Sequence, residues 1–477
     1  MPLMKLPVDF MASTRSLLGE DAELFFAALS GEPAVSIRLN PLKTARNPLK
    51  AGAALQRVPW SRWGYYLAER PAFTFDPLLH AGYYYVQEAS SMFVEHVVRE
   101  LVPGPVTCLD LCAAPGGKSL SLLSALPPGS LLVSNEVVRP RAHVLSETVI
   151  KGGTSHVMIT NNTASDFGKF SHFFDVVLVD APCSGEGMFR KDAVAVEEWS
   201  PGNVTMCAAR QENILDDVWP SLKPGGLLIY STCTYNVPEN EEVMLQVARS
   251  KGGDFEEVVV DPGWGTSPSF DERVQGYRFF PHRVKGEGLS LFILRKPEER
   301  EDVPSAPAAG PARKKAGKKD TPFLRDPSAY GRYLRRPDAF RFVERGGKIV
   351  ALPAVHAETM LFLDGRLNSL NMGIEVGGVK GKDFIPSHAL AMSEELNRDA
   401  FYNFPVTYDQ AIAYLRKEAL VLPPAVPKGF ILLTYESEPI GFVKNLGSRA
   451  NNLYPSEWRI RSGYLPENKP RVFSPDI

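Results

Sequence analysis

The stretch Asp175-Val-Val-Leu-Val-Asp180 holds four uninterrupted apolar residues between two acids, and Ala181-Pro-Cys-Ser-Gly185 follows at once. A short run rich in β-branched residues, closed by turn formers, reads as a strand buried on both faces of a parallel sheet. Working outward, residues 106–110, 131–135 and 156–160 repeat this character upstream, and residues 226–231 repeat it downstream. Helical patterns fill the gaps: one starts at Gly116-Gly-Lys118 and runs to about Leu126, another follows Asn135 through Ile150. Strand–helix alternation predicts an α/β fold with a doubly wound, Rossmann-like sheet.

The chain has 477 residues, more than one hydrophobic core usually serves, so two or three domains are expected. We divide it into a mainly helical N-terminal extension at 1–100, expected to contact RNA and holding one candidate strand at Ser36–Asn40, an α/β domain at 101–297, a linker at 298–322, a small α+β module at 323–400 and a β-rich module at 401–477. The linker is rich in Pro, Ala and Lys with almost no large apolar residue, and its cluster Arg313, Lys314, Lys315, Lys318 and Lys319 is a candidate polyanion contact. Net charge is −2 over the whole chain, but residues 313–477 carry 25 basic against 18 acidic side chains. The C-terminal part is therefore the expected polyanion-binding side. No apolar run approaches the roughly 18 residues of a membrane helix, and residues 1–15 do not read as a secretory signal, so cytoplasmic residence without a membrane partner is expected. The five cysteines (108, 112, 183, 207, 233) form no CxxC pair; free thiols and no metal site are expected.

Ligands of such sheets bind beyond the carboxyl ends of the strands. Cys112-Ala-Ala-Pro-Gly-Gly-Lys118 lies there, with Gly116 and Gly117 at a strand-to-helix turn where backbone N–H groups and a helix N-terminus favour a carboxylate. Glu136, 26 positions after Asp110, ends the next strand, where an acid can take two ribose hydroxyls. Asp166 follows the third strand as a candidate for an adenine amino group, with helix capping as its alternative. S-adenosyl-L-methionine (SAM) carries such a carboxylate together with a nucleoside and is one cofactor that fits, although a lone Gly-rich turn also occurs for purely steric reasons. Cys112, Ala113, Ala114, Pro115, Gly116, Gly117, Lys118, Glu136, Asp166 and Asp180 are the cofactor-binding candidates.

Two further segments, Val179-Asp-Ala-Pro-Cys-Ser-Gly-Glu-Gly187 and Tyr230-Ser-Thr-Cys-Thr-Tyr235, each place a cysteine just past a strand end, so Cys183 and Cys233 converge on one cleft. Cys108 and Cys207 read as structural. Arg190 and Lys191, after the Gly-Glu-Gly turn, are candidates for flanking phosphates, with ordinary surface charge as the alternative.

These segments together resemble the RNA cytosine-C5 methyltransferases of the Sun-protein and nucleolar-protein family, most closely its bacterial members acting on small-subunit ribosomal RNA. The resemblance extends to Tyr84-Tyr-Val-Gln-Glu-Ala-Ser-Ser91 and, more loosely, to Pro386-Ser-His-Ala-Leu390, Gly441–Gly447 and Tyr454-Pro-Ser-Glu-Trp-Arg459. It implies a PUA-like RNA-binding module at the C-terminus and an RNA rather than a DNA partner; nothing in the sequence demands a dimer, so a monomer is expected. It also implies roles: Cys233 as the nucleophile at cytosine C6, Cys183 in breakdown of the adduct, Asp180 at N3 and the amino group of the base, and Lys118 as the charge supporting SAM or a thiolate. From residues alone the cysteine roles are open, because DNA cytosine methyltransferases carry their nucleophile in a Pro-Cys segment like Pro182-Cys183. Transfer RNA is the rival substrate, and a non-catalytic ribosome-assembly factor the rival class.

Overall fold

The computed structural model describes residues 6–51, 55–298, 322–381 and 383–474. The basic cluster expected in the linker lies outside the described residues. Seven strands form the body of the central sheet: β1 (Thr107–Asp110), β2 (Leu131–Asn135), β3 (Val157–Thr160), β4 (Phe174–Asp180), β5 (Leu222–Thr232), β6 (Gly276–Phe279) and β7 (Leu289–Arg295). Their order is β6-β7-β5-β4-β1-β2-β3, with β5, β4, β1, β2 and β3 mutually parallel and β7 antiparallel to β5. Helices α1 (Gly117–Ala125), α2 (Arg139–Gly152) and α3 (Pro201–Val218) supply crossovers. The Rossmann-like fold expected from the alternation is present.

Burial explains why β4 tolerates no polar interruption. Val176 to Val179 are each at most 2% exposed, Val177 and Val179 in one core cluster and Val176 and Leu178 in the other. The two clusters are the two faces of one sheet, and each such side chain contributes about 1.5–3 kcal/mol by leaving water.

An eighth strand, β8 (Ser369–Met372), pairs antiparallel with β3, so the 323–400 segment completes an edge of the central sheet. Its own four-stranded sheet is Phe340–Arg345, Lys348–Pro353, Ile374–Lys380 and Asp383–Pro386. The C-terminal part builds another from Tyr402–Pro405, Gly429–Tyr435, Glu438–Asn445 and Ala450–Asn452.

The N-terminal part starts with helices Val8–Leu18 and Ala22–Leu29, as expected, but continues into a four-stranded sheet ordered Gln56–Arg57, Gly64–Leu67, Val35–Leu39, Tyr84–Val86. That sheet shares one core with the C-terminal part: Ile37, Phe73, Tyr83 and Tyr84 pack with Tyr408, Tyr414, Ile431 and Phe473. The two opening helices go elsewhere. Phe10 meets Phe189 at 5.0 Å between ring centroids, and Phe25 meets Tyr235 at 4.9 Å, bracing the loops that follow β4 and β5. Among the described residues no helix is long and apolar enough to cross a membrane.

Candidate active site

The loops after β1, β2, β4 and β5 open at the same sheet edge. After β1, Gly116 has φ +116°, and a Cβ there would lie 2.8 Å from Thr148 Cγ2 of α2, so only glycine allows the turn to close on that helix. Gly117 then opens α1, and Lys118 sits in its first turn. Backbone links hold this turn to its neighbours: Ala113 N donates to Asn135 O at 2.8 Å, and Arg141 donates to Ala114 O at 2.9 Å.

Asp110, at the end of β1, is fully buried. Its Oδ2 accepts from Ser119 Oγ at 2.7 Å, while Oδ1 has no hydrogen-bond partner. Burial is the main reason its pKa rises to about 7. A buried carboxylate oxygen left without a donor is expensive, and one beside a glycine turn at a strand end fits a ligand cation. Sequence reading used Asp110 only as a landmark. Glu136 is buried at the end of β2, Oε1 accepting from Val138 N at 2.9 Å and Oε2 lying 3.4 Å from Arg141. Asp166 caps a helix: its Oδ2 takes Thr163 N and Oγ1, and Oδ1 pairs with Lys169 at 2.7 Å. The Lys169 hydrogen bond, ahead of those from Thr163, holds its carboxyl near 2. Burial pushes the Cys112 thiol up, which makes it an inert wall of the site.

The structure brings Cys183 and Cys233 together at 3.3 Å between sulfurs. Lys118 Nζ lies 2.9 Å from Asp180 Oδ2, and Ser231 Oγ donates to Asp180 Oδ1 at 2.8 Å, so the carboxylate is fixed from two sides. Burial disfavours the Lys118 charge, but Asp180 and then Cys233 outweigh it and raise its pKa. The hydrogen bond to Cys233, and then burial, push the Cys183 thiol well above its ordinary value.

The cysteine-bearing loops are locked to each other. Gly187 N donates to Cys233 O at 2.7 Å, and a Cβ on Gly187 would meet that oxygen at 2.5 Å. Glu186 accepts from Tyr235 N at 2.6 Å, from Asn236 N at 3.1 Å and from Trp199 Nε1 at 3.0 Å. Arg190 is a correction to the sequence reading. Its side chain is 7% exposed and donates inward to Glu287 at 2.7 Å, Gly286 O at 2.7 Å and Ala28 O at 3.0 Å, so it is turned away from a surface phosphate. A cavity of about 290 Å³ lies behind the glycine turn, between Arg38, Tyr85, Leu120 and Thr148, away from the cysteines. Among the described residues, no group of three or more His, Cys, Asp or Glu side chains is arranged to hold a metal ion.

Residues 102–294 match the family model described as 16S rRNA methyltransferase RsmB/F. Residues 6–89 match the N-terminal domain of 16S rRNA methyltransferase RsmF, and residues 401–460 the methyltransferase RsmF PUA domain. The ribosomal RNA small subunit methyltransferase F of Enterobacter sp. is 29% identical over 96% of this chain and 97% of its own. That of Escherichia coli strain SE11 is 30% identical over 92% of this chain and 93% of its own. Among solved structures, NSun6 from Pyrococcus horikoshii with SFG shares the fold at a TM-score of 0.52 and 22% identity, covering 62% of this chain and all of that one. From its two cysteine loops to its C-terminal module, the chain belongs to the SAM-dependent 16S rRNA methyltransferase RsmB/F family, matching its F-type relatives over more than nine-tenths of its length.

Proposed function

We propose that the chain methylates carbon 5 of a cytosine in small-subunit (16S) ribosomal RNA, giving 5-methylcytosine through a covalent Cys233–C6 adduct. The observation that carries this is the 3.3 Å approach of two thiols beside the Lys118–Asp180 pair. One thiol suffices for many transferases; two on one reacting atom suit a reaction that must both form and dissolve a bond to sulfur.

Bound SAM supplies an electrophilic methyl group. The Gly116–Gly117 turn and the start of α1 would hold its carboxylate, and Asp110 Oδ1, which has no hydrogen-bond partner, would take its ammonium. Glu136 would take the ribose hydroxyls, and Asp166 Oδ1, whose Lys169 partner is largely exposed, would take the adenine amino group. Cys112 to Pro115 line the wall.

The target pyrimidine reaches this edge unstacked or from a single strand. Cys233 Sγ adds to C6, and the electron pair of the C5=C6 bond moves to C5. Asp180 holds N3 and the amino group of the base, favouring protonation at N3 as charge develops. After C5 takes the methyl group, with S-adenosylhomocysteine as the leaving product, Cys183 as its thiolate accepts the C5 proton, the C5=C6 bond re-forms, and the C6–S bond breaks with its electrons returning to Cys233. Charge placement favours this assignment over the reverse: Lys118 faces Cys233, whereas the buried carboxylate of Glu239 faces Cys183. The PUA-type module and the basic C-terminal part anchor the RNA.

The test is methyl transfer from labelled SAM to small ribosomal subunits, free ribosomal RNA and bulk transfer RNA in parallel. Label recovered as 5-methylcytosine in ribosomal RNA is expected. Label confined to transfer RNA overturns the substrate, and absence of transfer with SAM still bound overturns the reaction.

A further inference from the structure

The turn after β5 carries Pro238-Glu-Asn-Glu-Glu242, an acidic run that reads as exposed surface, yet Glu239 is fully buried. Its Oε2 accepts from Ser184 N at 2.9 Å and from Gln211 Nε2 at 2.8 Å, and its Oε1 accepts from Asn236 Nδ2 at 2.8 Å. Gln211 Nε2 also donates to Pro182 O at 3.0 Å. The backbone of Glu239 is fixed as well: its N donates to Asn236 Oδ1 at 2.9 Å, and its O accepts from Tyr230 OH at 2.7 Å. One carboxylate therefore grips both neighbours of Cys183, Ser184 directly and Pro182 through Gln211 of α3.

All three donors to that carboxylate are neutral. A buried anion with no cation beside it is costly, and hydrophobic or amide side chains of similar size fill space at lower cost. Burial raises the Glu239 pKa, and the donors at Ser184 and Asn236 oppose the rise. The titratable groups around Cys183 are Cys233 and Tyr230 from β5, Asp180 and Glu186 on its own segment, Glu239 from the turn, Cys207 from α3 and Lys118 from α1. Only one of these is a cation, and it sits on the Cys233 side, paired to Asp180. The two thiols touch, yet they feel fields of opposite sign.

We infer that Glu239 is a positioning residue: it straps the Pro182-Cys183-Ser184 turn over Cys233 and reserves Cys183 for adduct breakdown, leaving attack to Cys233. The inference rests on the proposed two-cysteine reaction. Its physical content is that the Glu239 charge helps hold the Cys183 thiol up, and that removing it lowers the Cys183 pKa.

The experiment needs neither RNA nor turnover. Full-length protein is alkylated with iodoacetamide across pH 6–10, and initial rates at the Cys183 and Cys233 peptides are read by mass spectrometry. In the unaltered chain Cys183 is expected to alkylate only at a pH well above that of an ordinary thiol; ready alkylation of Cys183 at ordinary thiol pH overturns the inference whatever any variant does. In Glu239→Gln, with SAM binding as the check on folding, the Cys183 apparent pKa falls by about one unit. In Glu239→Asp, which keeps the charge, it moves by less. With RNA, Glu239→Gln lowers kcat by up to about 10²-fold with KM for RNA unchanged, and trapped protein–RNA adduct rises. An unchanged Cys183 profile in folded Glu239→Gln refutes the role. A chain that fails to methylate RNA but keeps the raised Cys183 profile and its response to Glu239→Gln fails the proposed function, not the inference about the strap.

Discussion

Arg278 on β6 and Glu241 on the turn after β5 are each 1% exposed and form a bidentate pair, with Arg278 Nε 3.0 Å from Glu241 Oε1. Arg278 Nη1 also donates to Tyr235 O at 2.6 Å, and Glu241 Oε1 accepts from Ser269 Oγ at 3.0 Å and Phe270 N at 3.1 Å. Tyr235 is two residues past Cys233, so the pair fixes the turn that aims that sulfur. Arg278→Met keeps most of the volume and strands the Glu241 carboxylate. Breaking a buried pair on one side costs about 3–5 kcal/mol, against a total stability of roughly 5–15 kcal/mol. The double variant Arg278→Met/Glu241→Leu removes the stranded charge and regains part of that loss, leaving the Tyr235 carbonyl and the Ser269 and Phe270 donors unmet at about 1–3 kcal/mol each where water does not reach them. Urea titration of the three proteins, followed by SAM binding, gives the values. A loss below about 1 kcal/mol in the single variant, or a double variant no more stable than the single one, refutes the claim that a stranded charge is what the pair prevents.

Ser231→Ala removes the donor to Asp180 Oδ1; a hydrogen bond to a charged group is worth about 1.5–3 kcal/mol, so kcat/KM falls about tenfold or more, with a change under twofold contradicting the fixed carboxylate. Asp110 has a folded pKa near 7 against an ordinary 3.8, so the proton it holds stabilises the fold fully below about pH 4, and that contribution is lost as pH rises to 7. Without SAM, Asp110→Asn is expected to flatten the urea midpoint between pH 4 and 7 relative to the unaltered chain, and identical slopes refute the burial of an ionisable Asp110. Arg190→Ala is expected to destabilise the fold and leave the salt dependence of RNA binding unchanged, since its side chain is buried and its charge is paired inward to Glu287; a slope reduced by about one unit returns it to the RNA surface.

The central strands were legible because burial on both faces writes a continuous apolar run into the sequence, and all five expected strands are present, four of them within two residues of their observed ends. The strand at 226–231 extends back to Leu222, since Lys223 to Gly226 carry no apolar pattern. The convergence of Cys183 and Cys233 was legible for a related reason: residues just past parallel strand ends share one edge. What escaped is nonlocal. Gly64–Leu67 and Tyr84–Val86 are short and aromatic, and nothing local says that they pair with Val35–Leu39. β8 joins the central sheet from across the linker, so a chain cut at Pro297 loses a sheet edge as well as an RNA module. Glu239 and Gln211 lie in stretches that read as ordinary polar helix, and only the folded loops reveal them under Cys183. Arg190 misled because a basic residue after a glycine turn resembles a phosphate contact, while Glu287, about a hundred positions away, takes it inward.

The division of labour between the two cysteines is tested most directly by trapping. Cys183→Ala and Cys233→Ala are each incubated with labelled SAM and small-subunit RNA, and the products are separated under denaturing conditions. The predicted result is a covalent protein–RNA adduct that persists with Cys183→Ala, and neither adduct nor methylated RNA with Cys233→Ala. An adduct that accumulates with Cys233→Ala reverses the roles, and methylated RNA released normally by Cys233→Ala contradicts covalent catalysis by this pair.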